Sequence, residues 1–262
     1  MSSTTPASAL IVSGSSGSSD RRTGALDAIM GIHLAMDPPQ LLERLMRATS
    51  AIGATASIYT LRIPENGAEP SSFSLFACHP ALAQQQSRLG PLSNHPWFRC
   101  VRERCAPATD RHVRLTSRAD AEAIDLARQY GFRSCLIVPT PSSLDAERLG
   151  MLCVGSTHDG AFEGEQAALL RALARALAAE LHDWVTRHLS QCLEEGAGLQ
   201  KPDVELLKLA WQGLGTKEIA LKTGRSPTSV NSRFQRLNVR LRCANRRESA
   251  RRAAVYGLLE AG

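Results

Sequence analysis

The chain has 262 residues, 43% of them hydrophobic and 21% charged, with a formal net charge of +6. This is the composition of a folded globular protein and excludes a disordered one, and the length suits one large domain or two ordinary ones. No apolar run approaches the roughly 18–20 residues that cross a bilayer, and the N-terminus lacks the basic start and long apolar stretch of a secretory signal, so a cytoplasmic location is expected.

Residues 1–23 are rich in Ser, Thr and Gly and offer little apolar surface, which predicts a flexible leader. Over residues 25–53 the apolar positions Leu26, Ile29, Met30, Leu41, Leu42, Leu45 and Met46 follow helical spacing, and Asp37-Pro38-Pro39 starts the second of two helices. ATASIYTLRI, a turn, and FSLFAC read as two antiparallel strands. Short helices are expected from His79 and from Pro96, and a better one over residues 119–130, closed by Gly131. SCLIVPTP and LGMLCVGS read as a hairpin, followed by a long amphipathic helix over residues 164–189. Gly196-Ala197-Gly198 marks a linker.

The seven cysteines (78, 100, 105, 135, 153, 192 and 243) are odd in number, scattered, and form no CxxC pair. They read as free thiols, with no metal site and no disulfide framework. Neither a GxxxxGK phosphate loop nor a nucleophile–base constellation occurs; Ser134 and Cys135 lie at a strand start, but GFRSC lacks the GxSxG elbow. The chain is therefore not expected to be an enzyme or to carry a cofactor.

Charge is unevenly spread. Residues 201–262 hold 13 Lys/Arg against 5 Asp/Glu, which leaves the rest of the chain near −2. A basic tail on a near-neutral body is the electrostatic footprint of a nucleic-acid-binding module. Four helices are predicted there. The second starts at Thr216, read as its cap. Gly224 sits in the turn that follows, and Ser226 caps the third helix with Pro227 in its first position. Ile219, Ala220, Val230, Phe234 and Leu237 fall where a helix-turn-helix core would lie. Thr228, Ser229, Asn231, Ser232, Arg233, Gln235 and Arg236 are expected to face outward with Thr216, Lys217, Ser226 and Arg240, as side chains that reach phosphates and base edges.

The stretch from Trp211 to Ala250 resembles the C-terminal module of the LuxR (LuxR/GerE-type) family. The residues that carry the resemblance are Leu207, Gly213, the KEIA of 217–220, Ser226, Val230, Leu241, Arg246 and Ala250. Asp203 stands where that family usually has Glu, and Arg233 where it has His or Lys. ARQYGFRSCLIVPTPSSLDAERLGMLCVGS and HPWFRCVRERCAPATD are similar, more loosely, to the family's autoinducer-binding domain. The resemblance implies a small-molecule signal held between a sheet and helices, and a homodimer on double-stranded promoter DNA. In that family a Trp holds the lactone carbonyl, an Asp the amide, a Tyr the acyl carbonyl, and a second Trp covers the lactone. This chain has Leu82, His95, Gln86 and Asp110 at those places, with Cys135 where a glycine is usual. Together with Tyr59 and Ile137 these are the pocket candidates. Losing the family's hydrogen-bonding groups removes the selectivity they give, so a standard acyl-homoserine lactone is not the expected signal.

The fold expected is α+β: an N-terminal α/β/α sandwich sensor, then an all-α four-helix helix-turn-helix domain. The boundaries are 1–23 for the leader, 24–190 for the regulatory and dimerisation domain, 191–200 for the linker and 201–262 for the DNA-binding domain. The function expected is a DNA-binding transcription regulator related to quorum sensing. The alternatives are a ligand-independent regulator of the same fold and a conventional lactone-responsive activator.

Overall fold

The computed structural model describes residues 16–65, 69–104, 106–140, 148–164 and 166–259. Two helices open it, α1 (Ser16–Met30) and α2 (Pro38–Ala51), joined through a 3-10 turn at Gly31–Leu34. Asp37 caps α2 as its position before two prolines demands, accepting the Gln40 N–H at 2.8 Å. Residues 16–23 were expected in the leader; instead they form the first turns of α1. Ala25 and Ile29 anchor that helix in the core. Once it is nucleated, each added residue gains a backbone bond, so Ser/Gly composition alone does not stop it. Residues 1–15 of the expected leader, Cys105, and the loop of the expected hairpin at 141–147 lie outside the described residues.

Five strands follow: β1 (Ala56–Ile63), β2 (Ser71–Ala77), β3 (Ala108–Thr109), β4 (Ser134–Thr140) and β5 (Leu149–Ser156), all antiparallel, in the order β2-β1-β5-β4-β3. The two-residue β3 went unforeseen because nothing that short shows periodicity. Between β2 and β4 lie α3 (Pro80–Leu89), α4 (Pro96–Glu103) and α5 (Arg118–Gln129). After β5 comes α6 (Gln166–Gly196), about 46 Å long at 1.5 Å per residue.

The sheet is buried on both sides, which explains why its strands read as apolar runs. One face carries Tyr59, Leu61, Leu136, Val138, Leu152 and Val154 against α1, α2 and α6. The other carries Ile58, Cys135, Ile137, Met151 and Cys153 beneath α3, α4 and α5. This is the three-layer α/β/α arrangement expected. Gly155 is required on β5: a Cβ there would lie 2.4 Å from the Phe132 ring and 2.6 Å from the Gly131 carbonyl.

Residues 191–196, expected in the linker, are the last turns of α6. SQCLEE is polar but made largely of tolerable helix formers, and polarity does not end a helix. The stop comes at Gly198, whose φ of 56° reverses the chain. Beyond it lie α7 (Lys201–Trp211), α8 (Thr216–Thr223), α9 (Pro227–Arg240) and α10 (Arg246–Val255) around a separate core of Leu206, Leu207, Ile219, Val230, Phe234 and Leu237. The far end of α10 docks on the sheet-bearing part. Arg252 pairs with Glu65 at 2.8 Å, Tyr256 Oη donates to the same carboxylate at 2.7 Å, and the buried Arg148 donates to the Val255 carbonyl at 3.0 Å.

Candidate functional site

In the tail, α8 and α9 are joined by a tight turn in which Gly224 adopts φ 64°, ψ 26°, the left-handed conformation that glycine takes without strain. Ser226 caps α9 by accepting the Ser229 N–H at 3.2 Å, with Pro227 in the first turn. Thr216 is not the cap of α8. Gly215 holds that position, and the Glu218 carboxylate accepts its N–H at 2.6 Å. Thr216 already has helical geometry, so its hydroxyl is turned sideways: it donates to Asn231 Oδ1 at 3.1 Å and accepts from Arg246 at 3.2 Å.

Val230, Phe234 and Leu237 turn inward, and the opposite side of α9 exposes Thr228, Ser229, Asn231, Ser232, Gln235 and Arg236. Lys217 and Ser226 are exposed beside it. These expected contact residues do share one surface. Arg233 and Arg240 are placed differently. Arg233 Nε donates to Asp203 Oδ1 at 2.7 Å, and Arg240 reaches Asp203 Oδ2 at 3.2 Å as well as the Ala197 carbonyl at 2.7 Å and the Gly198 carbonyl. Asp203 is 1% exposed. Burial works to raise its carboxyl pKa. Hydrogen bonds from Arg233 and the Gln200 N–H, with the charges of Arg233 and Arg240, outweigh burial and hold it below the usual range. Arg233, read as outward-facing, is therefore half-buried and tied to an ion pair. A helical wheel shows its direction but not a partner thirty residues away. Beside this network, Arg233, Arg236, Arg240, Gln200 and Gln235 line a hollow of about 550 Å3.

In the sheet-bearing part, five pocket candidates are buried, each at most 6% exposed: Leu82, Cys135 and Ile137 share the core beneath α3 and α4, Gln86 lies on α3, and His95 sits at the start of α4 against Trp97. Asp110 sits beside them, accepting the Cys135 N–H at 3.1 Å. Tyr59 does not join them. It lies on the opposite face, hydrogen-bonded to His182 at 3.2 Å. The two-residue strand period puts Ile58 on the candidate side and its neighbour Tyr59 on the other.

His95 caps α4, its Nδ1 accepting the Trp97 N–H at 3.3 Å, so the neutral ring carries its proton on Nε2. Burial depresses its pKa to about 4, against the pull of a backbone bond at Ala123 and the Asp120 charge. At neutral pH it is an uncharged group. Its ring lies 4.4 Å from that of Trp97, which in turn lies 5.2 Å from Phe132. Trp97 is the residue that sequence reasoning missed. Its indole Nε1–H is buried with no hydrogen-bond partner among the described residues. A tryptophan in an amphipathic helix reads simply as core, and no spacing rule marks an unanswered donor.

Among the described residues, no group of three or more His, Cys, Asp or Glu is placed to hold a metal, and no helix is long and apolar enough to cross a membrane.

A family model for the GAF domain matches residues 37–181, more than half of the chain. No curated protein matches the sequence. Among solved structures, Escherichia coli SdiA superposes with a TM-score of 0.67 at 15% identity, covering 93% of this chain and 99% of that one. SdiA in complex with octanoyl-rac-glycerol gives 0.64 at 16%, covering 95% and 98%. CepR2 from Burkholderia cenocepacia, an N-acylhomoserine lactone dependent LuxR-family transcription factor, gives 0.53 at 17%, covering 64% and 98%. Identities this low speak for the fold alone.

Proposed function

We propose, on the premise that the chain belongs to the GAF domain family through residues 37–181, that it is a DNA-binding transcription regulator of LuxR type. The observation that carries this reading is α8, a left-handed Gly224, and a capped α9 whose exposed side chains from Thr228 to Arg236 are all polar or basic, on a tail with a charge surplus. A helix of this kind fits the major groove, where hydroxyls, amides and guanidinium groups meet base edges and phosphates. That the likeness to SdiA spans 95% of the chain supports a two-part layout in which a sheet-bearing unit precedes this tail. Two copies, packed through the long α6, would offer two such helices to half-sites about one DNA turn apart.

The face under α3 and α4 is the place for a signal. Leu82 offers no donor and His95 is uncharged, so the site does not supply the usual lactone contacts. What it holds ready is the Trp97 N–H, which suits an uncharged molecule bearing one hydrogen-bond acceptor. A second reading rests on a separate observation: Leu82, Trp97, Ile137 and Met151 are 0–2% exposed and pack on one another. On that reading the side chains fill the site themselves and the regulator acts without a ligand.

The test is DNA binding by the full chain, produced in a host that makes no acyl-homoserine lactone, on its own upstream DNA at fixed salt, with and without a lactone panel. Tight sequence-specific binding supports the regulator reading, and indifference to every lactone supports the altered site. Failure to prefer any DNA sequence in all conditions sinks the regulator reading. Binding that depends on one lactone overturns the reading of the site.

A further inference from the structure

A hollow lies beside α9. Three guanidinium groups line it, and the Asp203 carboxylate lies against it, sealed from solvent. Arg240 is spent within the protein: its Nε and both terminal nitrogens donate to Ala197, Asp203 and Gly198. Arg233 is not. Only its Nε–H is committed, to Asp203, and its two terminal NH2 groups have no partner among the described residues. Arg236, three residues on, is exposed and makes no ion pair among the described residues. Residues at i and i+3 lie on one side of a helix, so these two guanidinium groups border the same space. The side chains around it sum to three positive charges against one negative. A planar fork fixed at one edge, with a second fork beside it, matches the paired oxygens of a phosphate.

We propose that this hollow is a phosphate seat, in which Arg233 and Arg236 grip one backbone phosphodiester of the DNA and Asp203 is the positioning residue that aims Arg233. The proposal rests on the DNA-binding reading above and adds where the backbone is held. A free phosphate has the same chemistry, and the test separates the two sources.

The affinity of the full chain for its DNA is measured across a salt series for the native protein, Arg236→Gln, Asp203→Asn and Asp203→Glu. Losing one phosphate contact entirely lowers the slope of log affinity against log salt by about 0.9, so a fall of up to about 0.9 is expected for Arg236→Gln, which leaves Arg233 at that phosphate. Asp203→Asn removes a negative charge, so by charge alone it would strengthen binding to a polyanion. Aiming predicts the opposite: weaker binding, restored by Asp203→Glu. An Asp203→Asn protein that melts normally and binds DNA as tightly as the native chain, or more tightly, overturns the positioning role. Should Asp203→Asn fail to fold, phosphate ethylation decides. One ethylated phosphate per half-site should block the native chain and interfere less with Arg236→Gln, which keeps only Arg233 at that phosphate, and identical interference patterns overturn the seat. Inorganic phosphate at constant ionic strength is the last arm. Displacement of DNA from the native chain but not from Arg236→Gln assigns the seat to free anion as well, and no displacement assigns it to the polymer. If the native chain binds no DNA, the regulator reading fails by itself. The seat then stands only if phosphate shifts the Arg233 and Arg236 side-chain resonances of the native chain.

Discussion

Asp203 in the helical tail and the His95–Trp97 pair in the sheet-bearing part are both sealed from water, but they meet burial in opposite ways. Asp203 keeps its charge because two guanidinium groups and a backbone N–H converge on it. His95 gives up its charge, and Trp97 buries a neutral donor that none of the described residues answers. A buried charge without partners costs several kcal/mol, whereas an unanswered neutral N–H costs about 1–3 kcal/mol. The first cost would unfold a small helical domain, and the second is one a three-layer sandwich can carry. A fully answered polar centre is spent on structure and on aiming its partners; an unanswered one is available to a ligand.

The comparison breaks most visibly if Asp203→Ala is harmless. That change removes two charge-assisted hydrogen bonds while the half-exposed Arg233 and Arg240 regain water, and the expected loss in stability of the tail is on the order of 3 kcal/mol, read from chemical denaturation followed by hydrogen exchange in α7–α10. A loss within about 0.5 kcal/mol, the usual range for a surface substitution, would mean that the network carries no structural weight.

His95 sharpens the other side. Above pH 6.5, its unperturbed value, the imidazole is neutral whether the chain is folded or not. Between there and about 4 the unfolded chain takes up a proton that the folded one refuses. The unfolded state then binds more protons, so stability falls as the pH falls through this window. A shift of this size is worth on the order of 3 kcal/mol. His95→Gln should flatten the pH–stability profile over that window, and an unchanged profile would show that the ring is not buried neutral.

The smallest effect expected is that of Trp97→Phe. Removing the N–H relieves an unsatisfied donor, and the smaller ring leaves a small void, so the two terms oppose each other. Stability of ligand-free protein should change by less than about 1 kcal/mol. A loss of several kcal/mol would reveal a partner for the indole N–H and end the contrast with Asp203.

How much of this was legible beforehand follows from the range of the interactions. The capping of α2 by Asp37 and of α9 by Ser226, and the reversal at Gly224, involve residues three or four apart and were readable in order along the chain. The end of α6 was misplaced because Ser190 to Glu195 are polar without being helix-breaking, and only Gly198 stops the helix. Tyr59 was grouped with the wrong residues because alternation shows that neighbours on a strand face opposite ways, but not which face meets which helix. That phase is set by register: Tyr59 pairs with Leu75 and Leu152, and the layer over them is α6.

The sequence by itself determined most of the helices and the four longer strands, the caps at Asp37 and Ser226, the basic tail and the polar side of α9 from Thr228 to Arg236, because each depends on local periodicity, local caps or summed charge. The tertiary structure alone decided that Asp203 claims Arg233 and Arg240, that Tyr59 turns away from Leu82 and His95, and that the Trp97 donor is left open. Each of these is a matter of burial and pairing between groups distant in the chain, where the energy of a polar atom depends on what the fold brings to it and not on its neighbours in sequence.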